Sequence, residues 1–330
     1  MNSPWHPWAL ALFLGTGCAA PAAAPRKPAP RPPALAVDPG KPLESAVLES
    51  LPAPEEPAEA LLQDSILGWS AGQSLNVEQL LLEWHATDPN SLWLVLEKLV
   101  TARLAAAEAE RISFSLAPET LALRFEEEQR RLEQVLRQER LSLSDYAREE
   151  YGQSPEVFMG SLRGAVARQM LIERVTRAWV LSNPWLRLRM IVVQGPEAMA
   201  SLQARLAGGE DFASLAQELS QDGSAAQGGL VPFLVREEES PLSRRAFTQD
   251  LGEIGTPFLH KGLQVLVRVE EKHSPAPRDD WKSLEAAVEA SLLEFSLSDT
   301  EFGHWKLNME QRYPIDVRPL LDLLGVENSG

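Results

Sequence analysis

The sequence predicts an α+β protein: a helical module interrupted by one small domain of interleaved strands and helices, with closing helices after it. Three observations carry that expectation. Apolar residues recur at three- and four-residue steps from about residue 66 to 180, short β-branched runs alternate with helical segments from about 185 to 273, and an amphipathic pattern returns after 274. The 330 residues suffice for two or three folding units. Thirty-one Lys and Arg face 47 Asp and Glu, a net charge of −16. A surface that acidic repels phosphate backbones, which excludes nucleic-acid binding as the main activity.

In chain order, Trp8–Gly17 is a short apolar run ending in small residues, followed by Cys18. It has the shape of a secretory h-region and cleavage site and is too short for a membrane span. One Cys after small residues resembles a bacterial lipobox, so Cys18 is the expected lipidation site and the membrane a partner through that lipid. A plain cleaved signal and an uncleaved start are the other readings. Residues 19–62, rich in Pro, Ala and Glu, cannot bury enough apolar surface to offset ordering entropy, and read as a tether.

Residues 63–184 form the expected helical module. Ile66–Gly72 reads as strand and turn, and Asn76 with Gln79 as a capping box opening a helix to Trp84. From Ser91 a stripe of Leu92, Val95, Leu96, Leu99, Ala102 and Ala106 predicts a longer helix. Pro118 suits a first helical turn, Ser142 and Asp145 cap a short helix, and Ser154-Pro155 opens one carrying Phe158, Leu162, Val166 and Met170. Trp69, Trp84, Trp93, Trp179 and Trp185 read either as core or as part of a binding groove.

Residues 185–273 form the expected α+β domain. It has strands at Leu188–Val193, Leu230–Leu234 and Leu263–Val269, helices at Pro196–Ala207, Asp211–Leu219 and Pro241–Phe247, and a tight turn at Gln227-Gly-Gly229. Residues 274–330 hold helices at Trp281–Leu297 and Phe302–Tyr313 and a strand at Ile315–Val317. Too small to fold alone, this piece is expected to pack back on the helical module.

The stretch Leu206-Ala-Gly-Gly-Glu-Asp-Phe-Ala-Ser-Leu-Ala-Gln-Glu-Leu-Ser220, with Asp222, Gly228-Gly229, Ala246-Phe247, Gly252-Glu253-Ile254 and Gly262, resembles a parvulin-type peptidyl-prolyl isomerase domain of PpiC type over residues 186–272. A helical chaperone module with such a domain inserted resembles SurA- and PrsA-type extracytoplasmic folding factors, the first module being SurA-N-like. The resemblance implies two facing histidines and a Cys or Asp under the peptide bond, beside an apolar proline pocket. Carried over, the histidine positions hold Met190 and Gln264, and the Cys or Asp position holds Asp222, with Gly223 as the alternative. The pocket positions hold Leu230, Glu238, Leu242 and Phe247. Phe212, Leu215, Ala216 and the Gly-Gly pair specify fold more than activity.

Both histidines are replaced, so the resemblance implies a folding factor with a degenerate active site. Its expected partners are unfolded or partly folded polypeptides, and its place is extracytoplasmic, membrane-anchored, on the periplasmic side. The alternatives are an active isomerase and a lipoprotein scaffold with one fixed partner. His85, His260, His273 and His304 show no metal-ligand spacing, and no nucleotide or hydrolase fingerprint is present, so neither metal nor cofactor is expected.

Overall fold

The computed structural model describes residues 65–237, 240–274 and 280–326. Cys18, the tether and Glu238 lie outside them. The chain divides into two compact units. One holds the described residues up to Glu110, then Leu116–Ile172, and those from Met309 onward; the other holds Arg111–Ser115 and Glu173–Asn308.

The first unit opens with a hairpin of β1 (Ile66–Ser70) and β2 (Gln73–Asn76), paired from Ile66↔Asn76 to Ser70↔Gln73. Its two turn residues, Ala71 and Gly72, both have positive φ, the twist a two-residue hairpin loop needs. Asn76 then starts α1 (Val77–Thr87) with the capping box the sequence announces: Asn76 Oδ1 accepts from the Gln79 N–H at 2.9 Å, and Gln79 Oε1 from the Asn76 N–H at 3.2 Å. Four helices follow, α2 (Pro89–Arg111), α3 (Pro118–Glu139), α4 (Leu143–Tyr151) and α5 (Pro155–Ser182), the last running from Glu173 into the second unit. Pro118 and Ser142 stand at the helix starts assigned to them, and Gly152 ends α4 in the left-handed conformation. Leu121, Val166 and Met170 bury together, with Leu116, Phe125 and Ala167 around them.

The second unit is built on a four-stranded antiparallel sheet, ordered β4-β3-β6-β5 from β3 (Trp185–Val193), β4 (Leu230–Val235), β5 (Phe258–His260) and β6 (Leu263–His273). Strands β3 and β6 outrun the apolar stretches that predict them. Arg187 reaches Glu271 at 2.7 Å across the ladder, and Trp185 stacks on His273 at 3.8 Å, so the pairing continues into charged sequence. Helices α6 (Gly195–Ala207) and α7 (Phe212–Leu219) cover one face, where Ile191, Val193 and Leu266 meet Met199, Leu202, Phe212 and Leu215. The other face takes α8 (Pro241–Thr248).

Beyond the sheet lie α9 (Trp281–Glu294), α10 (Asp299–Arg312) and α11 (Arg318–Leu324). Trp281–Asn308 groups with the sheet and with Arg111–Ser115 and Glu173–Ser182 of the helical stretch, and the chain from Met309 with the rest of that stretch. The reason is polar as well as apolar. The Trp281 N–H donates to the Ile112 carbonyl at 2.7 Å, Arg174 pairs with Glu289 at 2.7 Å, and Arg177 with Glu301 at 2.9 Å. From Met309 the chain joins the helical unit, where buried Glu108 accepts from Arg312 Nη1 at 2.9 Å and Tyr313 Oη at 3.1 Å.

The strand expected at Ile315–Val317 is absent: this stretch pairs with no ladder, and α11 starts directly after it with Pro319 in its first turn. Trp179 and Trp185 are core residues of the sheet-bearing unit, whereas Trp69 on the hairpin is 69% exposed. Among the described residues no helix is long and apolar enough to cross a membrane.

Candidate functional site

Strand alternation makes the α8 side of the sheet apolar. Leu186, Leu188 and Val192 from β3, Leu234 from β4 and Val265, Val267 and Val269 from β6 all point there and are buried, with Phe258 and Ala246 beside them. Around this floor Met190, Val231, Leu242, Phe247 and Leu263 are only half-buried. Leu242 and Phe247 arrive on α8, which Ser240 starts by accepting from the Ser243 N–H at 3.2 Å, with Pro241 in its first turn. The Arg236 guanidinium lies 5.9 Å from the centre of the Phe247 ring.

The segment from Ser220 to Gly229 is laced to β3 beside this face. Ser220 Oγ accepts from the Val192 N–H at 3.1 Å, the Gln221 N–H donates to the Val192 carbonyl at 2.8 Å, and the Met190 N–H donates to the Gly229 carbonyl at 2.8 Å. Gly228 and Gly229 both have positive φ, and at Gly229 an added Cβ would lie 2.2 Å from the Met190 carbonyl oxygen. Glycine is required there by conformation and by space. Asp222 stands inside the segment as an Asx turn: its Oδ1 accepts from the Ser224 N–H at 2.9 Å and the Ser224 hydroxyl at 2.5 Å.

Charge is kept to the other side of the strands. Arg189 donates to Glu270 Oε1 at 2.8 Å and to the Gly228 carbonyl at 2.8 Å, while Arg268 reaches the same Glu270 oxygen at 2.7 Å. Burial works to raise the Glu270 carboxyl, but hydrogen bonds from Arg268 and Arg189 outweigh it and hold the group below the usual range.

The residues singled out from sequence are thus sorted. Met190, Leu242 and Phe247 share the apolar face. Gln264 does not join them. Met190 pairs with Val267 and Val193 with Gln264, and alternation puts Gln264 on the Leu266 side of the sheet, so the two positions do not face one another. Leu230 pairs with Arg189 and is replaced on the face by Val231, because the ladder shifts register between Leu186 and Leu188. Leu263 went unassigned in the sequence, although its two-residue step from Val265 and Val267 marks it. Among the described residues no group of three or more His, Cys, Asp or Glu is placed to hold a metal ion.

Comparison with known proteins bears directly on this domain. The family model "Rotamase: PPIC-type PPIASE domain" matches residues 195–271. Residues 195–271 are a PPIC-type rotamase domain. Its match begins just past β3, so Met190 precedes it, whereas Asp222, Leu230, Leu242, Phe247 and Gln264 fall inside.

Foldase protein PrsA 3 of Bacillus anthracis is 26% identical over 126 residues, 38% of this chain and 43% of that protein. Foldase protein PrsA of Oceanobacillus iheyensis is 25% identical over 152 residues, 44% of this chain and 51% of that protein. The chain thus spans about half, or less, of the length of these curated relatives. The crystal structure of PrsA from Bacillus subtilis aligns with 79% of this chain and 98% of its own, at 16% identity and a TM-score of 0.30. Val231, Leu242, Phe247 and Leu263 of the apolar face lie within the matched residues.

Proposed function

We propose that this chain is an extracytoplasmic protein-folding factor that binds unfolded polypeptide segments, and that its rotamase domain receives such segments while accelerating X–Pro rotation little. The observation carrying this reading is Met190 on the apolar face. X–Pro rotation meets a barrier of about 20 kcal/mol, and its catalyst must favour the twisted amide. Met190 donates no hydrogen bond to such a state, Gln264 stands on the opposite side of the sheet, and the Asp222 carboxylate is engaged by Ser224. Loss of about 3–4 kcal/mol of transition-state stabilisation corresponds to about 10²–10³ in rate.

Binding of unfolded chains is supported by the helical unit. Leu80, Leu82, Leu94, Val95 and Leu99 are exposed on α1 and α2. The foldase names of the relatives agree with it.

One preparation of the full chain tests both halves. Aggregation suppression of several unrelated unfolded proteins is expected at near-stoichiometric amounts, with isomerisation of a short X–Pro peptide close to the uncatalysed rate. Robust isomerisation that falls on Asp222→Ala would establish the active isomerase instead. A folded protein without effect on any client would favour a scaffold with one fixed partner.

The lipid anchor rests on Cys18 following its apolar run. Cys18→Ser is expected to move the protein out of the membrane fraction and to abolish incorporation of labelled fatty acid. Membrane association that survives the substitution, or absence of label in the native protein, would overturn the anchor.

A further inference from the structure

Helix α11 packs on α1 within the helical unit. Its sequence, Arg-Pro-Leu-Leu-Asp-Leu-Leu, is almost wholly apolar, yet Leu320, Leu321, Leu323 and Leu324 are all half-buried and none is buried. Helix α1 is alike: Val77, Leu81, Trp84 and His85 form a half-covered stripe, Leu80 and Leu82 are exposed, and no residue is buried. Two apolar helices that touch without burying a single side chain hold each other loosely, at the low-stability end of the fold.

The fastening lies elsewhere. Glu108, 1% exposed, accepts from Arg312 and Tyr313, which end just before α11 begins to form. Residues 314–317 between anchor and helix belong to no helix or strand, and the Arg318 side chain is bonded locally to Asp316 at 2.8 Å. Separation of α11 from α1 would leave the Glu108 anchor unbroken.

We propose that α11 is a resident ligand of the apolar surface on α1, and that clients bind by displacing it. The inference rests on the client-binding reading above and deepens it. The resident names the class of segment the surface takes: a short, leucine-rich stretch that forms an amphipathic helix when docked, read through apolar anchors. Leu94, Val95 and Leu99 on α2, the next helix in the chain, are exposed as well. A segment tethered by a few residues competes at high effective concentration, so the resident tunes affinity and weak contacts are rejected. If it occupies the surface nine-tenths of the time, apparent client affinity is about one-tenth of the intrinsic value.

The test compares the full chain with a variant ending at Tyr313 and with full-length Leu320→Asn, Leu324→Asn, using a labelled, reduced and carboxymethylated protein as client. Far-UV circular dichroism reports the fold of each. Both variants are expected to bind the client about five- to tenfold more tightly, and a synthetic peptide of residues 314–326 to compete with it on the truncated variant. Unchanged or weaker binding by folded variants overturns the resident role while leaving client binding by the full chain intact. Loss of fold in both variants overturns it too, since α11 would then be a structural element. Absence of client binding in all three proteins overturns the client-binding reading and this inference together.

Discussion

Replacing Arg177 by alanine is expected to destabilise the protein by about 3–5 kcal/mol, the usual cost of breaking a buried ion pair from one side. Arg177 and Glu301 have side chains that are 0% exposed, joined at 2.9 Å. The guanidinium also donates to Ser291 Oγ at 3.1 Å and to the carbonyl oxygens of Phe295 and Ser296 at 3.2 and 3.4 Å, and it lies over the Phe233 ring at 4.2 Å. One side chain on α5 thus satisfies α9, α10 and the segment between them, and rests on the outer strand of the sheet. Deleting it leaves the buried Glu301 carboxylate without its cation.

Burial already pushes the Glu301 carboxyl above the ordinary range, although Arg177 and Ser298 pull it down. Without Arg177 the carboxyl rises further. A folded-state value above the unfolded one contributes stability that is present in acid and lost as pH rises through the folded value. The deficit of Arg177→Ala should therefore be larger at neutral pH than near pH 4. Denaturant unfolding of the full chain at the two pH values measures this, read as a lower midpoint at unchanged slope. The pair Arg177→Met with Glu301→Met should recover most of the loss, because an apolar pair has no charge to desolvate. Single variants within about 1 kcal/mol of the parent would show that the pair is water-accessible in solution and defeat the prediction.

Gly229→Ala should cost about 3 kcal/mol or more of stability. The position has φ +75°, and an added Cβ would lie 2.2 Å from the Met190 carbonyl oxygen and 3.1 Å from Ala216 Cβ. Relief requires the turn to withdraw from β3, which breaks the Met190 N–H···O=C Gly229 bond and loosens the strand that presents Met190. Gly72→Ala is the matched control: φ is +81°, but nothing lies within 4 Å of an added Cβ, so only the left-handed conformation is penalised, at about 1–2 kcal/mol. Equal melting shifts for the two variants would show that the close approach at Gly229 is not real. Calorimetry on both proteins decides it.

Local chemistry made much of the fold legible before any coordinates. The Asn76–Gln79 box, Pro118 and Ser142 with Asp145 mark helix starts within one or two residues, because a cap is satisfied by neighbours in sequence. The rotamase domain was legible for the same reason: its glycine turn and the Phe212–Leu219 face are short-range patterns. Ile315–Val317 shows the limit. It has the residues of a strand, but a strand exists only beside a partner, and Pro319 is the stronger local signal.

What the sequence by itself determined is therefore the α+β class, the order of most of its elements, and the side-chain types at the candidate site. Which of those side chains meet was settled by tertiary structure. A register shift in β3–β4 exchanged Val231 for Leu230, and the β3–β6 register set Gln264 on the face away from Met190. Likewise nothing near Arg177 in sequence announces Glu301, 124 residues on, and their pairing assigns α9 and most of α10 to the sheet-bearing unit. The physical reason is common to all three: strand register and buried charge pairing are satisfied between residues far apart in the chain, whereas caps, turns and helical stripes are satisfied between near neighbours.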